Sequence, residues 1–195
     1  MIEKQTLAFD DIEANETYKH CRFSHSTRMI RLSDVHFESC EFANQSFTDS
    51  EWLDCTFKNI HLANLDFSNS IFYRCCFEQC QLLGTNFSNN RWKNSQILDS
   101  RCSYLNFSGS TLEQTVIKES TLQEAFFQDV TVTKNLKFMQ CELSRADFLD
   151  TKLTGIDFSE SSFDRLIFSP HLIKGAVLSS YQATQFLALM GVKIN

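Results

Sequence analysis

Large apolar residues recur at every fifth position over most of this chain. The stretch LANLDFSNSIFYRCCFEQCQLLGTNF, residues 62–87, shows the pattern at Leu62, Phe67, Phe72, Phe77, Leu82 and Phe87. An α-helix would repeat its apolar residues at about every 3.6 positions, and a strand at every second position. The spacing therefore predicts neither of these, but a repeat built from five-residue units.

The five-residue frame opens at Leu32 and runs to Val132, shifts by one residue near residues 133–135, and resumes from Phe138 to Phe168. Tyr18 and Phe23 indicate one further coil, joined through an irregular step before Leu32. Two residues before each large position lies a mostly small residue, and the other positions are mainly polar. We therefore expect large and small inward residues to alternate, with polar residues facing outward.

Six of the eight cysteines occupy the small inward position: Cys21, Cys40, Cys55, Cys75, Cys80 and Cys141. Cys102 occupies a large inward position. The segment CCFEQC invites a metal site, but its spacing is the repeat spacing, and no histidine falls at ligand distance in the same segment. We therefore expect reduced core thiols and no metal.

The segments SYLNFSGSTL and RADFLDTKLTGIDFSES resemble the consensus of the pentapeptide-repeat family, and the resemblance covers roughly residues 18–168. It implies an all-β fold, a right-handed quadrilateral parallel β-helix in which four pentapeptides form one coil of about twenty residues. We expect an N-terminal cap over residues 1–17, the β-helix over 18–168, and a cap and dimerisation segment with a short α-helix over 169–195.

With twenty residues per coil, each position lies about 4.8 Å from the position twenty residues later, the spacing of paired strands. One column then contains only phenylalanines: Phe47, Phe67, Phe87, Phe107, Phe127, Phe148 and Phe168. We expect these rings to stack and to form much of the core.

Composition narrows the classes of function. The chain has 24 acidic and 18 basic residues, a balance that disfavours direct binding of nucleic acid, because phosphate contacts need a basic surface. We expect no signal peptide and no membrane span, and hence a cytoplasmic location. No phosphate-binding loop, carboxylate dyad or catalytic triad is apparent, so we expect neither an enzyme nor a cofactor.

The C-terminal tail predicts a short helix. Ser179 followed by Gln182 fits a capping box, and Gly191 stands where a helix would end. The apolar stripe of this helix is expected either to cover the end of the coil or to form a dimer, and we favour both roles together. The predicted homodimer interface comprises Tyr181, Ala183, Phe186, Leu187, Leu189, Met190, Val192 and Ile194.

The tail LIKGAVLSSYQATQFLALMGVKIN also resembles the ending of Qnr-type and MfpA-type pentapeptide-repeat proteins. That resemblance implies a rod-like dimer that binds type II topoisomerases (DNA gyrase and topoisomerase IV) by imitating duplex DNA, and, in some members, quinolone resistance through protection of the enzyme. Because the frame shows only a one-residue slip and one irregular step, this chain is similar to the loop-free members.

A DNA mimic must present carboxylates where phosphates would lie. The face built on the phenylalanine column has five aspartates and no Lys or Arg, whereas the face of Trp52 and Trp92 is net positive. We assign four further carboxylates to the face beside the phenylalanine column. The predicted partner-binding surface is Asp49, Asp66, Asp129, Asp147 and Asp150, with Glu38, Glu78, Asp157 and Glu160.

The sequence thus predicts a DNA-mimicking protein that binds type II topoisomerase and changes its response to quinolones. Two alternatives stay open: a general protein-interaction scaffold, and a self-immunity protein against a gyrase-directed toxin.

Overall fold

The chain winds into a parallel β-solenoid of about eight turns, followed by one short helix. The computed structural model describes residues 1–43, 45–189 and 191–193. Phe72 pairs in register with Trp52 in the coil before it and with Trp92 in the coil after it. The predicted coil of twenty residues is therefore confirmed.

Short strands form most of the solenoid, and each pairs with strands of the neighbouring coils. The strands are β1 Ile2–Glu3, β2 Thr6–Ala8, β3 Thr17–Lys19, β4 Arg22–Ser24, β5 Arg31–Ser33, β6 His36–Glu38, β7 Glu41–Phe42, β8 Glu51–Leu53, β9 Thr56–Lys58, β10 Ile71–Tyr73, β11 Cys76–Glu78, β12 Arg91–Lys93, β13 Gln96–Leu98, β14 Thr111–Lys118, β15 Thr131–Met139, β16 Asp147–Phe148 and β17 Ile167–Phe168. Two 3₁₀ turns, Phe9–Asp11 and Pro170–Leu172, and the helix α1, Ser180–Leu189, lie at the two ends.

Each regular coil has four faces of five residues, which we name by their central buried residue in one coil. Face A holds Trp52, face B Phe57, face C Leu62 and face D Phe67, and the same letters apply to the equivalent residues of every coil. Because the chain visits the faces in this order, face B lies opposite face D, and face A lies opposite face C.

The corners between faces explain the many Asn and Asp residues. The second residue after each central residue has positive φ: 53° at Asp54, 52° at Asn59, 60° at Asn64 and 58° at Asn69. Asn, Asp and Gly tolerate this left-handed conformation better than other residues do. The repeat therefore selects Asn or Asp at the corners for backbone reasons, before any binding role.

Stacked rings fill the interior, as predicted. The centroids of Phe47 and Phe67 are 4.9 Å apart with an interplanar angle of 13°, and those of Phe127 and Phe148 are 4.9 Å apart with an angle of 5°. Trp52 and Phe72 on face A are nearly parallel, at 3°. Such contacts add to the free energy gained by burial of the rings.

The small inward positions tie neighbouring coils together. The Ser70 hydroxyl accepts a hydrogen bond from the Ser50 amide, at 3.0 Å, and donates to the Phe47 carbonyl, at 3.2 Å. The cysteines of this class are buried and free, as predicted. Burial raises the pKa of Cys80 to about 12, so its reactive thiolate form is suppressed.

The predicted one-residue slip is a β-bulge on face A. Leu112 pairs with Val132, but Glu113 pairs with Lys134, so Thr133 is the extra residue. The coil length returns to twenty residues by Phe148, which pairs with Phe168.

The N-terminal coil is shorter than the others. Ile2 pairs with Tyr18, so pairing begins within the segment that the sequence assigned to a cap. Phe9 closes this end of the core, and its ring lies 5.1–5.3 Å from those of Phe23, Phe42 and Phe47. No helix in the described ranges is long and apolar enough to cross a membrane.

Candidate partner-binding surface

Three of the five aspartates on face D occupy corner positions. Asp49, Asp129 and Asp150 have φ values of 57°, 52° and 58°, and all three are exposed. Asn tolerates this positive φ equally well, and the bond that Asp150 Oδ1 accepts from Ser169 Oγ, at 3.2 Å, can also be accepted by an Asn side-chain oxygen. The negative charge at these positions is therefore not required by the fold.

Asp66 and Asp147, by contrast, stabilise the coil. Asp66 Oδ1 accepts hydrogen bonds from the Ser68 amide, at 3.0 Å, and from Asn86 Nδ2, at 2.9 Å. Asp147 accepts from the Leu149 amide, at 2.9 Å, and from Gln128 Nε2, at 2.6 Å. Asp147 is only 9% exposed, so it offers little charge to a partner.

The middle of face D is uncharged. Asn86 and Asn106 continue the ladder that Asp66 begins, with Asn106 Nδ2 donating to Asn86 Oδ1 at 3.1 Å. Asp49 and Asp129 stand four coils apart, about 19 Å at the spacing of paired strands. Face D therefore presents two acidic clusters separated by neutral coils, not an even row of carboxylates.

None of the five face-D aspartates forms an ion pair within the described part of the chain, whereas carboxylates on other faces do. On face B, Lys19 pairs with Glu38 at 3.0 Å and Lys58 pairs with Glu78 at 2.9 Å. The hydrogen bond from Lys19 lowers the pKa of the Glu38 carboxyl, and the hydrogen bond to Glu78 raises the pKa of Lys58. The charges of face B thus satisfy one another.

The positive charge predicted for face A is also largely paired. Arg74 binds both carboxylate oxygens of Asp54, and Lys93 and Lys134 both approach Glu113, at 3.5 and 3.1 Å. These ion pairs join neighbouring coils. They leave less unpaired positive charge on face A than the sequence indicated.

The assignment of the four additional carboxylates to a face beside face D is wrong. These residues lie on face B, ten residues along a twenty-residue coil, and hence on the opposite side: Glu38, Glu78, Asp157 and Glu160. Asp157 also accepts a hydrogen bond within its own turn, from the Ser159 amide to Oδ1 at 2.9 Å. No flat partner can contact both sets at once.

The C-terminal helix has the predicted capping box. The Ser179 amide donates to Gln182 Oε1 at 2.8 Å, and the Gln182 amide donates to Ser179 Oγ at 3.3 Å. Gln182 Nε2 also donates to the carbonyls of Phe158 and Ser161, at 2.8 and 2.7 Å. One side chain thereby starts the helix and fixes it to the last full coil.

The predicted dimer residues fall into three groups. Phe186 is buried within its own chain, stacked on Phe168 at 4.7 Å, so it belongs to the cap and offers no free surface. Tyr181, Leu187 and Val192 are exposed, and Ala183 is half-buried. Met190, Ile194 and the side chain of Leu189 lie outside the described residues. The dimer itself stays a prediction.

Sequence reasoning overlooked four exposed apolar side chains on faces C and D of the solenoid: Leu83, Tyr104, Phe126 and Leu149. The available signal was an apolar residue at an outward position that is polar or small in neighbouring coils. Among the described residues, no cluster of His, Cys, Asp and Glu could hold a metal ion.

The Pentapeptide repeats family matches residues 54–89 and 141–179, with eight copies of the repeat. No curated protein matches the chain. Among solved structures, a trypsin-treated variant of QnrB1, a plasmid-mediated fluoroquinolone resistance protein, is 16% identical with a TM-score of 0.47; 99% of this chain and 98% of that chain are covered.

Full-length QnrB1 is 17% identical with a TM-score of 0.38, over 97% of this chain and 100% of that chain. HetL, a pentapeptide repeat protein involved in heterocyst differentiation regulation in the cyanobacterium Nostoc sp. strain PCC 7120, is 14% identical with a TM-score of 0.34, over 91% and 85% of the two chains. At these levels of similarity, the function of this chain must be argued from its own surface.

Proposed function

Because the chain is a pentapeptide-repeat protein, we propose that it is a non-enzymatic binding protein that offers face D to the DNA-binding groove of a type II topoisomerase. In this proposal the rod takes the place of duplex DNA and changes the response of the enzyme to quinolones. The choice of DNA gyrase or topoisomerase IV follows from the resemblance of the tail to Qnr-type and MfpA-type proteins.

The observation that carries the proposal is the set of unpaired carboxylates on face D. Carboxylates that already bind Lys or Arg of their own chain gain little from a basic partner, whereas unpaired ones attract it over several ångströms. Asp49, Asp129 and Asp150 are exposed and form no ion pair within the described residues, and Asn could replace each of them at its corner. Their charge is therefore available to a partner at no cost to the fold.

The first test uses a supercoiling assay with purified gyrase. Replacement Asp129→Asn with Asp150→Asn removes two carboxylates from face D, and Asn fits the left-handed corner at both positions. We expect the concentration needed for half-maximal effect to rise at least about tenfold, and the effect of the wild-type protein to weaken with added salt.

The matched control is Asp34→Asn with Asp99→Asn. These residues are also exposed corner aspartates with positive φ, but they lie on faces A and B. The control loses the same formal charge, so we expect it to act as the wild type does. Equal loss of effect in both variants would show that total charge matters and face D does not; no effect of the wild type at high excess would favour the scaffold.

A second assay separates inhibition from protection. Gyrase cleavage complexes are formed with a fluoroquinolone in the presence of increasing amounts of the protein. Because the described coils are interrupted only by the bulge at Thr133 and the irregular step before Leu32, we expect inhibition of supercoiling with little protection from the drug.

We further propose that the exposed side chains of the tail form a homodimer. Tyr181 is 74% exposed on α1, and Leu187 and Val192 are also exposed, which is typical of a surface that another chain covers. Replacement Tyr181→Ser with Leu187→Ser is expected to convert dimer to monomer in analytical ultracentrifugation. A wild-type monomer at high micromolar concentration would contradict this.

A further inference from the structure

Four exposed apolar side chains form a diagonal across the solenoid. Leu83 is 45% exposed, Tyr104 48%, and Phe126 and Leu149 38% each. They belong to four successive coils, and each stands one or two positions further along its coil than the one before. This apolar diagonal therefore begins on face C, crosses the corner and ends on face D.

Each of these residues interrupts a column that is otherwise polar or small. Phe126 pairs with Asn106 and Asp147 in the ladder of Asn and Asp side chains on face D. Leu149 stands in a column with Ser88 and Ser108. Small or polar residues at the same positions of neighbouring coils are therefore compatible with the fold.

Of the four residues, Tyr104 has the backbone conformation that suits its residue type least. Its φ is 60°, in a corner column that holds Asn64, Gly84, Glu124 and Arg145 in other coils. Positive φ is common to the corners, but all other described residues with positive φ are Gly or residues with strongly polar side chains, so a Tyr ring at a corner is unusual. Its hydroxyl makes one long contact, 3.5 Å to Glu124 Oε1, which does not account for an aromatic ring at this position.

The two flanks of the apolar diagonal differ in charge. On face D, Asp129 follows Phe126 by three residues, and Asp150 directly follows Leu149; both aspartates are exposed and unpaired. On face C, Glu124 is paired with Arg145 at 3.5 Å. An occupant of the diagonal therefore meets free negative charge on its face-D flank.

The backbone of faces C and D cannot accept another strand, since bridges already join their coils, from residue 81 through 101 to 121 on face C and from residue 86 through 106 to 126 on face D. Strand addition needs a free edge, which a solenoid has only at its ends. A partner must bind here through side chains, as an amphipathic helix does. From Leu83 to Leu149 the diagonal rises three coils, about 14 Å, and also shifts sideways along the coil, so a helix that follows it needs more than the roughly ten residues that match the rise alone.

We propose that the apolar diagonal binds an amphipathic helix of the partner, with one apolar side chain per turn and Lys or Arg along the flank that faces Asp129 and Asp150. The inference rests on the proposed function in that both place a basic partner at face D. It goes further because it specifies the secondary structure and the apolar contacts of the element that is bound.

The test uses a fluorescein-labelled synthetic helix of about eighteen residues, with a leucine stripe and lysines on one flank, and a scrambled peptide of the same composition. The variant combines Tyr104→Asn, Phe126→Asn and Leu149→Ser, which place typical residues of neighbouring coils at these positions. The control is Ile71→Thr, an exposed apolar residue on face A whose column contains Thr111 and Thr131.

We expect fluorescence anisotropy to show binding of the helix to the wild type and to Ile71→Thr, and at least about tenfold weaker binding to the triple variant. The triple variant should unfold at the same urea concentration as the wild type or a higher one, since it removes a strained Tyr. The inference would be overturned if the triple variant bound the helix as tightly as the wild type, or if the wild type bound the scrambled peptide as tightly as the helix. Conversion of a wild-type oligomer to monomer by the triple variant would also overturn it, because a second copy would then cover the diagonal.

The gyrase assay keeps the two proposals distinct. If the helix binds the diagonal while the protein leaves gyrase unaffected, the inference stands and the topoisomerase proposal fails. If gyrase responds to the protein but the helix does not bind, the topoisomerase proposal stands and the inference about the helix fails.

Discussion

Faces B and D lie on opposite sides of the same coils and have carboxylates that serve different ends. On face B, Lys19, Glu38, Lys58 and Glu78 form a ladder of alternating charge, and the pairs lie 3.0 and 2.9 Å apart. On face D, Asp66, Asp147 and Asp150 accept hydrogen bonds from the coil, and Asp49 and Asp129 stand at exposed corners. The comparison shows that pairing, not the number of carboxylates, distinguishes a structural face from a candidate binding face.

The largest expected effect tests whether the two faces share one core. Phe57→Ala on face B and Phe67→Ala on face D each remove a fully buried ring, and each is expected to lower the free energy of unfolding by about 3–5 kcal/mol. Urea unfolding measures both. A loss on one face only would show that the faces differ in their interior, not just in their outward charge.

The next effect separates structural from free carboxylates. Asp147→Ala leaves the Leu149 amide and Gln128 Nε2 without their acceptor, so we expect a loss of about 1–3 kcal/mol. Glu78→Ala removes a half-exposed ion pair on face B and should cost about 1 kcal/mol or less. If the two losses are equal, Asp147 is not the structural member of face D that its contacts indicate.

A gain of charge sharpens the comparison further. Asn69→Asp with Asn89→Asp adds carboxylates at two exposed corners of face D that lie between Asp49 and Asp129. We expect the free energy of unfolding to change by no more than about 0.5 kcal/mol, and the half-maximal concentration in the gyrase assay to fall severalfold at low salt. Unchanged potency would contradict binding through a continuous acidic face.

The smallest effect is a pH dependence specific to face B. The hydrogen bond from Lys19 lowers the pKa of Glu38 below its ordinary value of 4.5. A carboxyl whose pKa is lowered by folding stabilises the protein above its unfolded pKa, and that contribution is lost as the pH falls below about 4.5. Glu38→Gln and Lys19→Met should each reduce the acid-induced drop in urea midpoint; an unchanged drop would mean that the pair adds nothing.

Much of the fold could be predicted because the repeat leaves little freedom. A large residue at every fifth position fixed which side chains point inward, and the stack from Phe47 to Phe148 follows from it. The bulge at Thr133 and the capping box of Ser179 and Gln182 were also legible, since each is a local feature. The short first coil was missed, because Ile2, Leu7 and Ile12 keep the five-residue spacing for too few repeats to stand out, and the spacing breaks before Tyr18.

The surface was harder to predict than the core. Outward residues obey no packing rule, so the sequence did not reveal that Asp147 is almost fully buried or that Glu38 binds Lys19. The opposite placement of faces B and D needed only the order of the coil, ten residues being half a turn. The apolar diagonal from Leu83 to Leu149 was missed because the columns were compared for charge and not for apolar side chains.

Gln182 has a consequence for how many molecules can join end to end. A stack of paired coils can in principle grow into a fibre, since its last backbone carbonyls remain ready to accept another strand. The side-chain amide of Gln182 donates hydrogen bonds to the carbonyls of Phe158 and Ser161, and the ring of Phe186 stacks on that of Phe168. The short helix thereby covers part of the end at which a further strand would otherwise add.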